Sequence, residues 1–106
     1  MNYKSWFMLS PSTFKNKILQ LPPVIKSKTG KASYTAFSLS GKILAFVRVN
    51  TNLQWKLNID TLYKVYSTHS YINTATVKKH TGGRVNSPSF AILQAIGCID
   101  EKGYRI

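Results

Sequence analysis

Side chains able to do acid–base, nucleophilic or metal chemistry are scarce in this chain. It has three carboxylates, two imidazoles and one thiol, which belong to Asp60, Asp100, Glu101, His69, His80 and Cys98. A two-metal nuclease needs several convergent carboxylates, and acid–base catalysis needs a group placed beside a partner. Asp100 and Glu101 are neighbours in a predicted turn, where solvated carboxylates are ordinary. The carboxylates therefore give little support to a catalytic site.

The other candidates have structural explanations. Asp60 stands where a helix cap is expected, and Cys98 follows an apolar helix, where a buried and inert thiol is expected. His69 and His80 are eleven residues apart and lack a nearby Cys or carboxylate, so their spacing matches no zinc site. Glycine-rich nucleotide-binding motifs are missing from the sequence. We therefore expect a non-enzymatic protein without metal or cofactor; a compact nuclease using His69 or His80 is the enzymatic alternative.

The basic residues carry a stronger signal. Fifteen Lys and Arg against three Asp and Glu give the 106 residues a formal net charge of +12. Cations, hydroxyls and backbone N–H groups contact phosphates, and counterion release drives non-specific nucleic-acid binding. We therefore expect nucleic-acid contacts from a dense cluster, consisting of Thr74, Thr76, Lys78, Lys79, Arg84, Ser87 and Ser89. A looser trail extends this surface, consisting of Lys15, Lys17, Lys26, Lys28 and Lys31.

Capping and turn signals predict the elements of the first half. Ser10-Pro11 begins a helix over about 11–21, which Pro22-Pro23 ends. Residues 24–33 are interpreted as a basic, polar linker.

Strand-like runs follow the linker. Runs over 34–39 and 43–49 flank Gly41 and predict a β-hairpin. The second run is apolar on both faces, so we expect it to be the better buried strand. The alternation over 53–57 predicts a third strand.

Three helices and a short tail are predicted for the second half. The helices cover 59–67, 74–81 and 88–96, with Asn58 or Asp60 capping the first. The third follows Ser87-Pro88 and is apolar almost all round, so it is expected inside the domain. The last three residues, 104–106, could return as a wing-like strand.

These elements predict one small basic α+β domain over residues 1–106. Its order is an N-terminal helix, a small antiparallel β-hairpin or three-stranded sheet, and a three-helix C-terminal half with a helix-turn-helix-like order. The recognition element is expected to be helix 74–81 with the 82–87 loop. Arg84 is the best candidate for a base-edge or bidentate phosphate contact.

The leading functional hypothesis is binding of duplex DNA, favoured over RNA, through this basic helical surface. A first alternative is a protein-interaction module or inhibitor that docks Trp6, Phe7 and Met8 on an acidic partner protein. A second alternative is a single-stranded RNA or DNA binder that stacks bases on sheet aromatics. Those aromatics are Tyr34, Phe37, Phe46 and Trp55.

The composition also bears on location. The chain has no apolar run of the ~20 residues that a membrane-spanning helix needs, so no membrane partner is expected. The N-terminal residues lack a small-residue cleavage site, and the one cysteine cannot form an internal disulfide. We therefore expect a cytoplasmic protein.

Overall fold

The structure is a computed structural model that describes residues 9–27, 30–81 and 85–106. The elements run in the order α1 (Pro11–Leu19), β1 (Val24–Lys26), β2 (Ser33–Ser40), β3 (Ile43–Arg48), β4 (Leu53–Asn58), α2 (Ile59–Thr68), α3 (Thr74–Thr81) and α4 (Asn86–Ala95). The strands form one antiparallel sheet in the order β1-β2-β3-β4. The predicted α+β class, with an N-terminal helix, a sheet and then three helices, is confirmed.

Side-chain caps start α1 and α2. The Ser10 hydroxyl accepts a hydrogen bond from the Thr13 backbone N–H at 3.3 Å, so α1 begins where Ser10-Pro11 predicts. Before α2, Asn58 Oδ1 accepts from the backbone N–H of Asp60 at 2.8 Å. Of the two residues considered for this cap, Asn58 therefore provides it. Asp60 lies in the first turn, where its charge complements the positive end of the helix.

The predicted linker over 24–33 contains a strand, so that prediction was wrong. Val24, Ile25 and Lys26 pair with Thr35, Tyr34 and Ser33 of β2, and they follow an exposed, buried, exposed order. A three-residue alternation among lysines is too short to recognise without its partner strand. The sheet therefore has four strands rather than two or three.

The predicted hairpin is confirmed, and β3 is its better buried strand. Gly41 makes the turn with φ +61°, and β3 pairs with both β2 and β4. In β2 the register shifts between Thr35 and Ser38, where Ala36 has φ +56°. This bulge puts Phe37 on the inner side and exposes Ala36, which breaks the simple alternation that the sequence suggests.

One face of the sheet carries the core. Leu44, Phe46 and Leu57 point to this face and pack with residues of α1, α2 and α4. Helix α4 contacts β1 and α2 contacts β4, so the helices span the sheet from edge to edge. Within the described ranges, no helix combines the length and apolarity needed to cross a bilayer.

The start of α4 and the tail differ from prediction. The helix begins at Asn86 rather than at 88, and its N-cap Val85 makes no side-chain capping bond. Tyr104 and Arg105 form isolated bridges with Tyr71 and Ile99, so the tail joins the helical half and makes no wing on the sheet.

Arg105 ties this tail to α2. Its guanidinium is buried and donates to the backbone carbonyls of Tyr66 at 3.1 Å and Ser67 at 3.4 Å. These carbonyls belong to the last turn of α2, which has no internal partners for them. The tail therefore completes the C-terminal end of α2, the helix that precedes the predicted recognition element.

Candidate nucleic-acid interface

Helix α3 has one buried side and one open side. Val77 is completely buried and anchors the helix against α2 and α4. Its exposed residues are Thr74, Ala75, Lys78 and Lys79. Their spacing, i, i+1, i+4 and i+5, places them on one face of an α-helix. We call these four residues the α3 surface.

The start of α3 is fixed by Asn73. Asn73 Oδ1 accepts hydrogen bonds from the Thr76 backbone N–H at 2.8 Å and from the Thr76 hydroxyl at 3.0 Å. Thr76 is half-buried and its hydroxyl is used in this cap. The Thr76 hydroxyl, which was predicted to contact phosphate, is therefore bonded within the cap of α3. Thr74 remains on the open face.

A cleft beside α3 adds a residue that the sequence did not single out. It has a volume of about 200 Å³ and is lined by Lys56, Leu57, Asn58, Thr61, His80, Thr81 and Val85. Lys56 belongs to the edge strand β4 and is exposed. Because strand and helix are remote in the sequence, only the fold brings Lys56 to the end of α3.

The predicted trail of lysines is spread over α1, β1 and the loop that follows β1. Lys15 lines a second cleft with Lys42 and Asp60, and Lys17 lies half-buried near Cys98. Lys26 lies on β1, at the opposite edge of the sheet from β4. Three strand spacings separate these edges, so the backbones of Lys26 and Lys56 are at least about 14 Å apart.

Of four further residues of the predicted set, the structure describes two. Lys31 lies in the loop between β1 and β2, at the same edge as Lys26. Ser87 is exposed in the first turn of α4. Lys28 and Arg84 lie outside the described residues, so the predicted contacts of these two cations have no structural account.

Ser89 was wrongly included among the phosphate contacts. Its side chain has no exposed surface, and its hydroxyl is enclosed among apolar residues of α4. The Ser87-Pro88-Ser89 pattern predicts a helix start with open hydroxyls. Since the helix starts at Asn86, Ser89 falls on a face that turns into the core.

Two of the three carboxylates, Asp60 and Asp100, are engaged away from the α3 surface. Asp60 pairs with Lys42 at 3.0 Å, the one ion pair formed within residues 9–27, 30–81 and 85–106. Asp100 Oδ1 accepts from the backbone N–H groups of Lys102, Gly103 and Tyr104, each at 2.9 Å. These bonds, with the one from Tyr104 the strongest influence, lower the pKa of Asp100. The positive charges of Lys78 and Lys79 thus have no carboxylate partner in the described chain.

The predicted helix-turn-helix-like order falls on α2, α3 and α4, and α3 has a more open face than α4. Helix α4 is buried along most of its length and presents no reading surface. Helix α3 follows α2 after residues 69–73 and has an open basic face. This connection is longer than the three or four residues of a typical unit.

The four aromatic residues predicted to stack bases on the sheet are buried or half-buried. Tyr34 and Phe46 are buried, and Phe37 and Trp55 are half-buried against the core. The strand residues that the structure exposes are aliphatic or polar. Of the four aromatics named for the single-strand alternative, two are therefore buried and two are partly exposed.

Cys98 is buried, and its thiol is expected to be unreactive in the folded chain. Burial raises its pKa from 9.0 to about 12, against a smaller lowering effect of the Lys17 charge. The raised pKa lowers the thiolate fraction of the folded chain near pH 8, and the thiolate is the reactive form. We expect iodoacetamide to modify the native chain at least roughly tenfold more slowly than the urea-unfolded chain.

The raised pKa of Cys98 also makes the stability of the fold depend on pH. The folded state keeps the thiol proton between pH 9 and about 12, whereas the unfolded state loses it. The stability that this proton contributes is present below pH 9 and is lost as the pH rises toward 12. In the iodoacetamide experiment, equal modification rates of the native and the urea-unfolded chain would contradict the burial of Cys98.

Comparisons with models of protein families, with curated proteins and with solved structures gave no match to this chain.

Proposed function

We propose that this chain is a non-enzymatic protein that binds duplex DNA through the α3 surface. The observation that carries the proposal is the exposure of Thr74, Ala75, Lys78 and Lys79 on one helical face. An exposed helix of this kind fits the major groove, which is wide enough to admit it. Duplex DNA is favoured over single strands because Tyr34 and Phe46 are buried, and Phe37 and Trp55 pack against the core and are only partly exposed.

Electrostatics supports a polyanionic partner. The net charge is +12, and two of the three carboxylates are held by Lys42 and by the backbone of the C-terminal turn. Lys78, Lys79 and Lys56 would each neutralise one phosphate, with Lys56 reaching the backbone from the neighbouring strand. Each such contact contributes about 0.9 to the slope of log Kobs against log salt. Three contacts give a slope of about −3.

A salt titration with duplex DNA of random sequence tests the proposal. We expect binding at low salt and a linear fall of log Kobs with log salt, with a slope of −3 or steeper. Single-stranded DNA and RNA of equal length serve as competitors, and both are expected to compete less well than the duplex. Failure to bind duplex DNA even at low salt would overturn the proposal.

The same preparation tests the alternative of an acidic protein partner. Capture of one acidic protein, unaffected by nuclease treatment, together with no duplex affinity would replace the proposed function. The segment Trp6 to Met8, on which that alternative depends, lies outside the described residues. Plasmid nicking that is lost in His80→Ala would likewise replace it with a nuclease.

A further inference from the structure

The two histidines of the chain meet across the α2–α3 connection. His69 Nε2 and His80 Nε2 are 3.1 Å apart, and the two rings are inclined at 72°. Both side chains are half-buried. Eleven residues separate them in the sequence, so this pairing depends on the way α3 folds back on α2.

Helix ends position the backbone of both histidines. His69 is the C-cap of α2, and its N–H donates to the Val65 carbonyl at 3.3 Å. His80 lies in the last turn of α3, one turn after the buried Val77. The connection between them is held by a hydrogen bond from the Ile72 N–H to the Gly103 carbonyl at 2.7 Å. A ligand between the rings therefore meets a preorganised pair of nitrogens.

The separation of the two nitrogens matches that of two ligands of one metal ion. Imidazole nitrogens bind Zn²⁺ at about 2.0–2.1 Å. Two such nitrogens are about 2.9 Å apart at a right angle and about 3.4 Å apart at the tetrahedral angle. The observed 3.1 Å lies between these values. In the absence of metal the same geometry suits one N–H···N hydrogen bond, whose proton the ion would replace.

We propose that His69 and His80 form a binding site for one divalent ion of the late first transition row, such as Zn²⁺. Imidazole pairs favour Zn²⁺, Ni²⁺ and Cu²⁺, whereas Mg²⁺ and Ca²⁺ prefer oxygen ligands. Among the described residues, no third His, Cys, Asp or Glu joins the pair. The site is therefore an open one with two protein ligands.

A cleft of about 200 Å³ adjoins one member of the pair, His80, and is also lined by Thr61, Thr81 and Lys56. In open zinc sites water fills the coordination positions that the protein leaves free, and this cleft would let water reach the His80 side of the ion. The ion would join the C-terminal end of α2 to the C-terminal end of α3.

Calorimetric titration of the tag-free, full-length chain with Zn²⁺ tests this site. We expect one ion per chain and no binding of Mg²⁺ at the same concentration. His69→Gln and His80→Gln should each lower the Zn²⁺ affinity tenfold or more, since loss of even an outer-shell partner costs about that much. Glu101→Gln removes an exposed carboxylate elsewhere and should leave the affinity unchanged.

A melting experiment keeps the test independent of folding defects in the variants. Zn²⁺ at a hundredfold excess over its Kd should raise the Tm of the wild-type chain by about 10 °C, because it binds the folded state. The two His variants should fold without metal and show no such rise. Zn²⁺ binding that persists in both His variants, or no binding by the wild type, would overturn the site.

Discussion

Gly103→Ala is expected to destabilise the chain by about 3 kcal/mol or more, enough to remove a large part of the stability of a small domain. Gly103 has φ +103°, and a Cβ at this position would collide with the backbone carbonyl oxygen of Ile72. The same residue accepts the hydrogen bond from Ile72 N–H and donates to Asp100. The clash therefore displaces the turn that holds the α2–α3 connection.

Urea unfolding followed by circular dichroism measures this effect, and Gly41→Ala provides the matched control. Gly41 also has positive φ, +61°, but a Cβ there meets no atom within 4 Å. Only the conformational cost of about 1–2 kcal/mol applies at that position. If both variants lose the same stability, the close packing of the C-terminal turn against Ile72 is wrong.

Replacing both Lys78 and Lys79 with Gln is expected to weaken duplex binding roughly sixtyfold at about 0.1 M salt. Two lost phosphate contacts remove about 1.8 from the salt slope, and each contact contributes about 0.9 log unit between 1 M and 0.1 M. Both lysines are exposed and lie on the open side of α3. The substitutions should therefore leave the unfolding free energy within about 0.5 kcal/mol of the wild type.

Two comparisons separate a local interface from attraction by net charge. Lys15→Gln with Lys102→Gln removes the same charge from the second cleft and the C-terminal turn, and it should cost much less affinity. Lys78→Arg with Lys79→Arg keeps both charges and should preserve the salt slope. An equal loss in both Gln pairs would show that the α3 surface is not the interface.

Local signals predicted much of the fold. Ser10-Pro11, the turn at Gly41 and the cap at Asn58 act through neighbouring residues, and the structure places elements at each of them. Strand β1 was missed because its single buried residue, Ile25, becomes meaningful only against Tyr34 of β2. The start of α4 was missed because Val85 caps it without a side-chain bond.

In the candidate interface, too, residues close in the sequence could be predicted, whereas residues brought together by the fold could not. Lys78, Lys79 and Thr74 are close in the sequence, so their cluster was visible before the fold was known. Lys56 and the His69–His80 pair depend on packing between separate elements, which periodicity cannot report. Charge counting likewise could not distinguish the α3 surface from the lysines around β1 and α1.

Chemical-shift mapping of the wild-type chain with short random duplex DNA tests the central claim most directly. We expect the backbone amides of residues 74–81 and of Lys56 to move first and furthest as duplex is added. Amides of the C-terminal turn, 100–103, should move little. Shifts spread evenly over all lysine-bearing segments, or confined to 26–31 and 100–103, would contradict duplex binding through the α3 surface.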